Sequence, residues 1–227
     1  MNADILRIQK EKGRRIALKA FEIGAIKLSP EKPFTWASGY KMPIYNDNRR
    51  LLAFPEMRML ICKAFCEIME AVNFKPNWIA GVATGGIPHG TTLADALALP
   101  FAYVRSSNKD HGLQNQVEGL GNEADFQGKN VAVIEDLIST GGSSIKAIEA
   151  IRSKQGKSPY CFAIFSYGLD KSLRAFAEMS PECTAITILD YHIMLETALE
   201  NKLIDDKQKK ALHEWREDPF NWWEKRQ

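Results

Sequence analysis

From residue 78 onward, short runs of apolar residues alternate with stretches whose apolar positions recur every three or four residues. Residues 78–82 (WIAGV), 100–104 (PFAYV), 130–134 (NVAVI), 160–166 (YCFAIFS) and 183–189 (CTAITIL) read as strands that leave no polar face. Strands of that kind are buried on both sides, as in a parallel sheet covered by helices. Residues 87–98, 143–154 and 170–179 carry the helical period, with Ile145, Ile148 and Ile151 marking a buried face. Asp190 is placed to cap a following helix. The alternation predicts an α/β fold: a central parallel sheet flanked by helices.

The flanks differ. Residues 3–23 form an amphipathic helical pattern, and 26–46 are richer in proline, aromatic and polar residues, as short strands and turns are. Residues 203–227 form a charged helical tail whose Trp222 and Trp223 are expected to pack on the body or on a partner subunit. The chain therefore divides into an N-terminal segment (1–50), a core (51–200) and a tail (201–227). Residues 105–128 break the alternation as a long polar segment between two strands, and loops of that length inside a compact domain are usually functional.

Composition narrows the possibilities. At 227 residues, 45% hydrophobic and 26% charged, the chain is an ordinary globular protein of one sizeable domain. A net charge of +2 lacks the concentrated positive field of a general nucleic-acid binder. Cys62, Cys66, Cys161 and Cys183 have no zinc spacing, and Cys62 and Cys66, four apart in an apolar helical stretch, read as buried free thiols. The charged N-terminus has no signal-peptide core, and no apolar run reaches ~18 residues. No membrane span and a cytoplasmic location are expected.

Candidate chemistry concentrates in VAVIEDLISTGGSS, residues 131–144. A buried strand ends in two adjacent carboxylates, Glu135 and Asp136, followed by Leu137, Ile138, Ser139, Thr140, Gly141, Gly142 and Ser143 leading into a helix. Small residues before a helix expose backbone N–H groups and let an anion approach, and the helix dipole favours negative charge there. Carboxylates beside an anion site repel phosphate alone. They become useful when the same ligand carries hydroxyls or a bound magnesium ion, as a sugar phosphate does. A second glycine-rich turn, GVATGGIPHG at 81–90, suits another phosphate group, while His89 reads as structural.

This pattern resembles the phosphoribosyl pyrophosphate (PRPP) motif of type I phosphoribosyltransferases, two acids followed by a T-G-G-type turn. The resemblance implies that Glu135 and Asp136 take the ribose hydroxyls, directly or through Mg²⁺ and its water, and that residues 139–143 cradle the 5-phosphate. It further implies that Thr84, Gly85 and Gly86 hold pyrophosphate, and that the N-terminal segment forms a small hood over the sheet.

Two more stretches point to the acceptor base. Arg105, Lys109, Asp110, His111 and Gly112 form R-x-x-x-K-D-H-G, similar to the mobile catalytic loop of the orotate phosphoribosyltransferases. Residues 33–49 (PFTWASGYKMPIYNDNR) resemble the segment of the same family that carries F-T-x-x-S-G and K-x-P. Ala37 and Ser106 stand where many relatives carry basic residues, and the nearby Lys41 is a candidate substitute. The family loop closes over the neighbouring subunit's active site, which implies a homodimer with shared sites. Arg105, Lys109 and His111 would then steady the departing pyrophosphate, with Lys109 having the largest effect on rate.

The expected reaction moves ribose 5-phosphate from PRPP to orotate, giving orotidine 5′-monophosphate and pyrophosphate in pyrimidine synthesis. The alternatives are an enzyme of the same fold acting on another base, and a catalytically silent PRPP-sensing regulator that binds nucleic acid. Gly119, Gly121 and Ala124 fit a dinucleotide fingerprint but sit in the polar segment rather than after a strand, so that match is set aside.

Overall fold

The computed structural model describes residues 2–36, 39–105 and 116–226. Helix α1 (Ala3–Ile8), a π-helical stretch (Gln9–Gly13) and α2 (Arg14–Glu22) together fill the predicted N-terminal helix. Four short strands follow: β1 (Ile26–Leu28), β2 (Phe34–Thr35), β3 (Lys41–Met42) and β4 (Ile44–Asn46). They pair antiparallel as β1 with β4 and β2 with β3. A 3-10 helix (Asn48–Ala53) then leads into α3 (Pro55–Ala71), whose proline sits in the first turn, where a missing N–H costs nothing.

The core elements are β5 (Trp78–Val82), α4 (Gly86–Leu97), β6 (Phe101–Val104), β7 (Val117–Glu118), β8 (Val131–Ile138), α5 (Gly142–Ser153), β9 (Tyr160–Ser166), α6 (Asp170–Ala177), β10 (Thr184–Asp190) and α7 (Tyr191–Glu200). The sheet order is β10-β9-β8-β5-β6-β7. Every pairing is parallel except that of β6 with β7. Residues alternate between two cores. Ile79, Ala132, Ile134, Phe162 and Ile164 face α3, α7 and the N-terminal helices, and Trp78, Ala80, Val131, Val133, Cys161 and Ala163 face α5.

Two expectations needed revision. The polar segment 105–128 contributes β7, a two-residue strand too short to leave a periodic signal, so the sheet is mostly rather than wholly parallel. Strand β8 also runs past residue 134 to Ile138, because β9 extends alongside it and pairs Leu137 with Phe165 and Ile138 with Ser166. Asp190 caps α7 as expected, accepting a hydrogen bond from the Ile193 N–H at 2.7 Å.

The tail forms α8 (Asp206–Glu217), opened by a reciprocal capping box between Asp205 and Gln208. Trp215 is completely buried, its ring 5.5 Å from that of Tyr167 and 5.7 Å from that of Tyr191. Its indole N–H points at the Met42 sulfur, 3.0 Å away. Trp222 packs on the body as well. Among the described residues no helix is long and apolar enough to cross a membrane.

Candidate active site

In order of appearance the parallel strands lie 2-1-3-4-5 across the sheet, so chain direction switches between β5 and β8. Ligands of open α/β sheets bind beyond the carboxyl ends of the strands at such a switch. Both glycine-rich turns emerge there, one after β5 and the other after β8. The topology therefore brings 84–86 and 135–143 together, though some fifty residues separate them in sequence.

The turns interlock. A Cβ built on Gly85 would stand 2.2 Å from the Asp136 Cγ, so only glycine permits this approach. The backbone of Gly141 has φ +85°, a left-handed conformation that again favours glycine and turns the chain into α5. Gly142 and Ser143 at the start of α5 are exposed, Ser139 and Thr140 half-buried, and Thr84 exposed. The exposed first turn of α5 thus carries backbone N–H groups that lack intrahelical partners, with the positive end of the helix dipole behind them.

The two acids have different surroundings. Glu135 is buried and accepts hydrogen bonds from Ser143 Oγ at 3.3 Å, Ser144 Oγ at 3.2 Å and the Asp136 N–H at 3.0 Å. Burial, reinforced by the neighbouring Asp136, pushes the Glu135 carboxyl up to about 9. Glu135 thus ties the strand end to the first turn of α5. Asp136 is half-buried beside Gly85, and its backbone carbonyl accepts a bond from Asn48 Nδ2 at 2.7 Å.

Above these turns the N-terminal strands close a pocket of about 330 Å³ lined by Phe34, Thr35, Trp36, Tyr45, Asn46, Leu137, Ser139 and Tyr167. It is largely aromatic, with Ser139 at the phosphate-turn side, the composition expected of a slot for a flat ring. Lys41 donates to Oγ1 of Thr35, a lining residue of this pocket, at 2.6 Å. A larger groove of about 910 Å³ runs along edge strand β10 between α1 and α6, and it carries none of the turn residues 139–143.

Other sequence candidates fall as follows. The Ile138 side chain is buried, which leaves its backbone alone for any ligand. Leu137 lines the ring pocket. Arg105 forms an ion pair with Glu118 at 3.6 Å. Lys109, Asp110, His111 and Gly112, like Ala37 and Ser106, lie outside the described residues. His89 is buried in α4, consistent with a structural role, and burial holds its imidazole down at about 4. Sequence reasoning did not single out Tyr45, Asn46, Asn48 or Tyr167. The first three stand in the quoted stretch IYNDNR, whose density of polar side chains after a strand was the available signal.

Residues 47–177 match the family model of the phosphoribosyl transferase domain. An orotate phosphoribosyltransferase of Porphyromonas gingivalis is 46% identical over 213 residues, covering 94% of this chain and 99% of that one. The crystal structure of orotate phosphoribosyltransferase from Aeropyrum pernix superposes with a TM-score of 0.69 at 26% identity, over 84% of this chain and 99% of that one. Leishmania donovani UMP synthase shares the fold, with a TM-score of 0.71 at 22% identity over 90% of this chain and 42% of that one. Interlocked turns at the switch point, a ring-sized slot above them and likeness over nearly the whole length agree: the chain belongs to the orotate phosphoribosyltransferase family.

Proposed function

We propose that this protein transfers the ribose 5-phosphate group of PRPP to orotate, releasing pyrophosphate and orotidine 5′-monophosphate. The observation that carries the reading is the aromatic pocket opening onto Ser139, where a planar acceptor would lie against a sugar phosphate held by the turns. Residues 139–143 would bind the 5-phosphate through backbone N–H groups and the Ser139, Thr140 and Ser143 hydroxyls. Thr84, Gly85 and Gly86 would hold the pyrophosphate. Asp136 would take the ribose hydroxyls, while Glu135 fixes the strand end that presents them. Lys41, bonded to Thr35, offers a positive partner for the orotate carboxylate.

The described residues gather no cluster of three metal-ligating side chains. That donor set fits magnesium bound chiefly by substrate oxygens, with Asp136 as the half-buried carboxylate able to hold it through water and Glu135 one residue deeper. When present the ion would neutralise charge on pyrophosphate. The chain's own contribution is positioning: two anionic groups are fixed so that a ring nitrogen of orotate attacks the anomeric carbon as its bond to pyrophosphate breaks. The Asp136 carboxylate near the sugar would favour positive charge developing on the ribose ring. Arg105, Lys109 and His111 would meet the departing pyrophosphate, from a neighbouring subunit in a C2 dimer.

The deciding assay follows loss of orotate ultraviolet absorbance after PRPP and Mg²⁺ are added, with hypoxanthine, adenine and uracil in parallel. Magnesium-dependent consumption of orotate alone is expected. Turnover of another base would change the acceptor, and no turnover despite PRPP binding would favour a sensor.

A further inference from the structure

We propose that Asn48 is a positioning residue that holds Asp136 in place for the ribose and ties it to the segment carrying the acceptor pocket. The inference rests on the functional reading above. It concerns a side chain that acts through Asp136 rather than on a substrate.

Strand β8 has β5 beside it for part of its length. The Asn130 carbonyl, just before β8, accepts the Trp78 N–H of β5. Backbone groups alternate sides along a strand, so the Asp136 carbonyl faces the same way. The register between the two strands ends at Gly81 and Ile134, because β5 stops at Val82 and its chain turns into α4. Asp136 therefore presents a carbonyl where the sheet supplies no donor, and a peptide carbonyl left unmatched away from water is costly. Asn48 fills the vacancy. Its Nδ2 donates to that carbonyl at 2.7 Å, and the residue is only 2% exposed.

Asn48 is itself held. The Asp47 N–H donates to the Ala25 carbonyl at 2.8 Å, Arg50 donates to the Gly24 carbonyl at 2.9 Å, and Arg58 of α3 donates to the Leu52 carbonyl. The 3-10 helix that Asn48 opens is thus moored to the chain after α2 and to α3. Among the described residues, the bond to Asp136 is the hydrogen bond that joins the N-terminal segment to β8.

That bond falls where the two halves of the site meet. Tyr45 and Asn46, three and two residues before Asn48, line the ring pocket, as does Leu137, the residue after Asp136. The Asp136 carboxyl in turn fills the space beside Gly85. A carboxylate that must meet ribose hydroxyls needs the peptide behind it fixed, since a misplacement near 1 Å costs about 100-fold in rate. Gly85 limits where the carboxyl can go, and Asn48 holds the peptide that carries it. One bond then locates the ribose relative to the acceptor.

The test is a double-mutant cycle of Asn48→Ala and Asp136→Asn, read as kcat/KM for PRPP at saturating orotate. Asn48→Ala alone should lower this value by about 10- to 100-fold. In the Asp136→Asn background the same substitution should change it by less than about threefold, because the carboxylate it positions is already gone. Asn48→Ser keeps a donor on a shorter side chain and should fall between Asn48→Ala and wild type. It takes the alanine variant's place in the cycle should that chain not fold. A bond serving the fold alone would give losses that multiply in the double variant, and that result overturns the inference. So does a kcat/KM for the single Asn48 variant within about threefold of wild type. Failure of wild type to consume orotate would instead overturn the functional reading, and the cycle is then read as PRPP affinity by calorimetry, with the same two outcomes deciding it.

Discussion

The carboxyl group of Asp136 fills the space that a side chain at residue 85 would need, with only 2.2 Å between its Cγ and a Cβ built on Gly85. Two turns from different βα units are thereby locked to each other at the switch point. Gly85→Ala should displace Asp136 and lower kcat/KM for PRPP by about 100-fold, the cost of a misplacement near 1 Å in a positioning site. The far-ultraviolet circular dichroism should stay unchanged. Activity within threefold of wild type would show that the interlock has no part in binding.

Acid should weaken the fold through His89. Burial holds its imidazole down at about 4, against an ordinary value of 6.5, so the folded chain keeps it neutral while the unfolded chain takes a proton. The unfolded state therefore binds more protons between those two values. The contribution to stability is complete above 6.5 and is lost as pH falls towards 4, at most about 1.4 kcal/mol per pH unit. His89→Leu should show a shallower fall than wild type in denaturant titrations over that window. Identical slopes would locate the acid sensitivity elsewhere.

Much of this was legible from sequence, for a physical reason. Parallel strands buried on both faces leave continuous apolar runs, so 78–82 and 160–166 match β5 and β9 residue for residue. The two glycine turns announced themselves because close approach to a backbone demands small residues in a row, as where Gly85 meets Asp136 and Gly86 the Ile134 carbonyl. What stayed hidden depends on distance along the chain. Asn48 meets the Asp136 carbonyl across 88 positions, and Met42 meets Trp215 across 173, with no local signal for either. The short strand β7 owes its existence to β6 beside it rather than to its own two residues.

Stability should depend heavily on the tail. Trp215 is fully buried among Met42, Tyr167 and Tyr191, so Trp215→Ala should cost about 3–5 kcal/mol and lower the melting temperature by roughly 10 °C. Because Tyr167 also lines the ring pocket, the orotate KM should rise more than the PRPP KM. Differential scanning calorimetry and steady-state kinetics would check both, and equal changes in the two KM values would separate the tail from the pocket.

The proposed dimer with shared sites makes a prediction about mixtures. Lys109→Ala should lower kcat far more than it weakens PRPP binding, because it removes charge that matters most as pyrophosphate leaves. Mixing Lys109→Ala chains with Asp136→Asn chains should restore part of the activity through mixed dimers that keep one intact site. No recovery, with chain exchange demonstrated by mass, would place loop and turns in the same subunit.

The packing of Trp215 against Met42 and Tyr167 also orders events in time. The ribosome makes the sheet and both glycine-rich turns before it makes α8. The strand ends that carry those turns therefore precede α8 in the chain, whereas the wall behind the ring pocket waits for that helix to dock. A chain cut short of α8 would leave Tyr167 and Tyr191 without the indole that packs against them, and the wall of the ring pocket without its support.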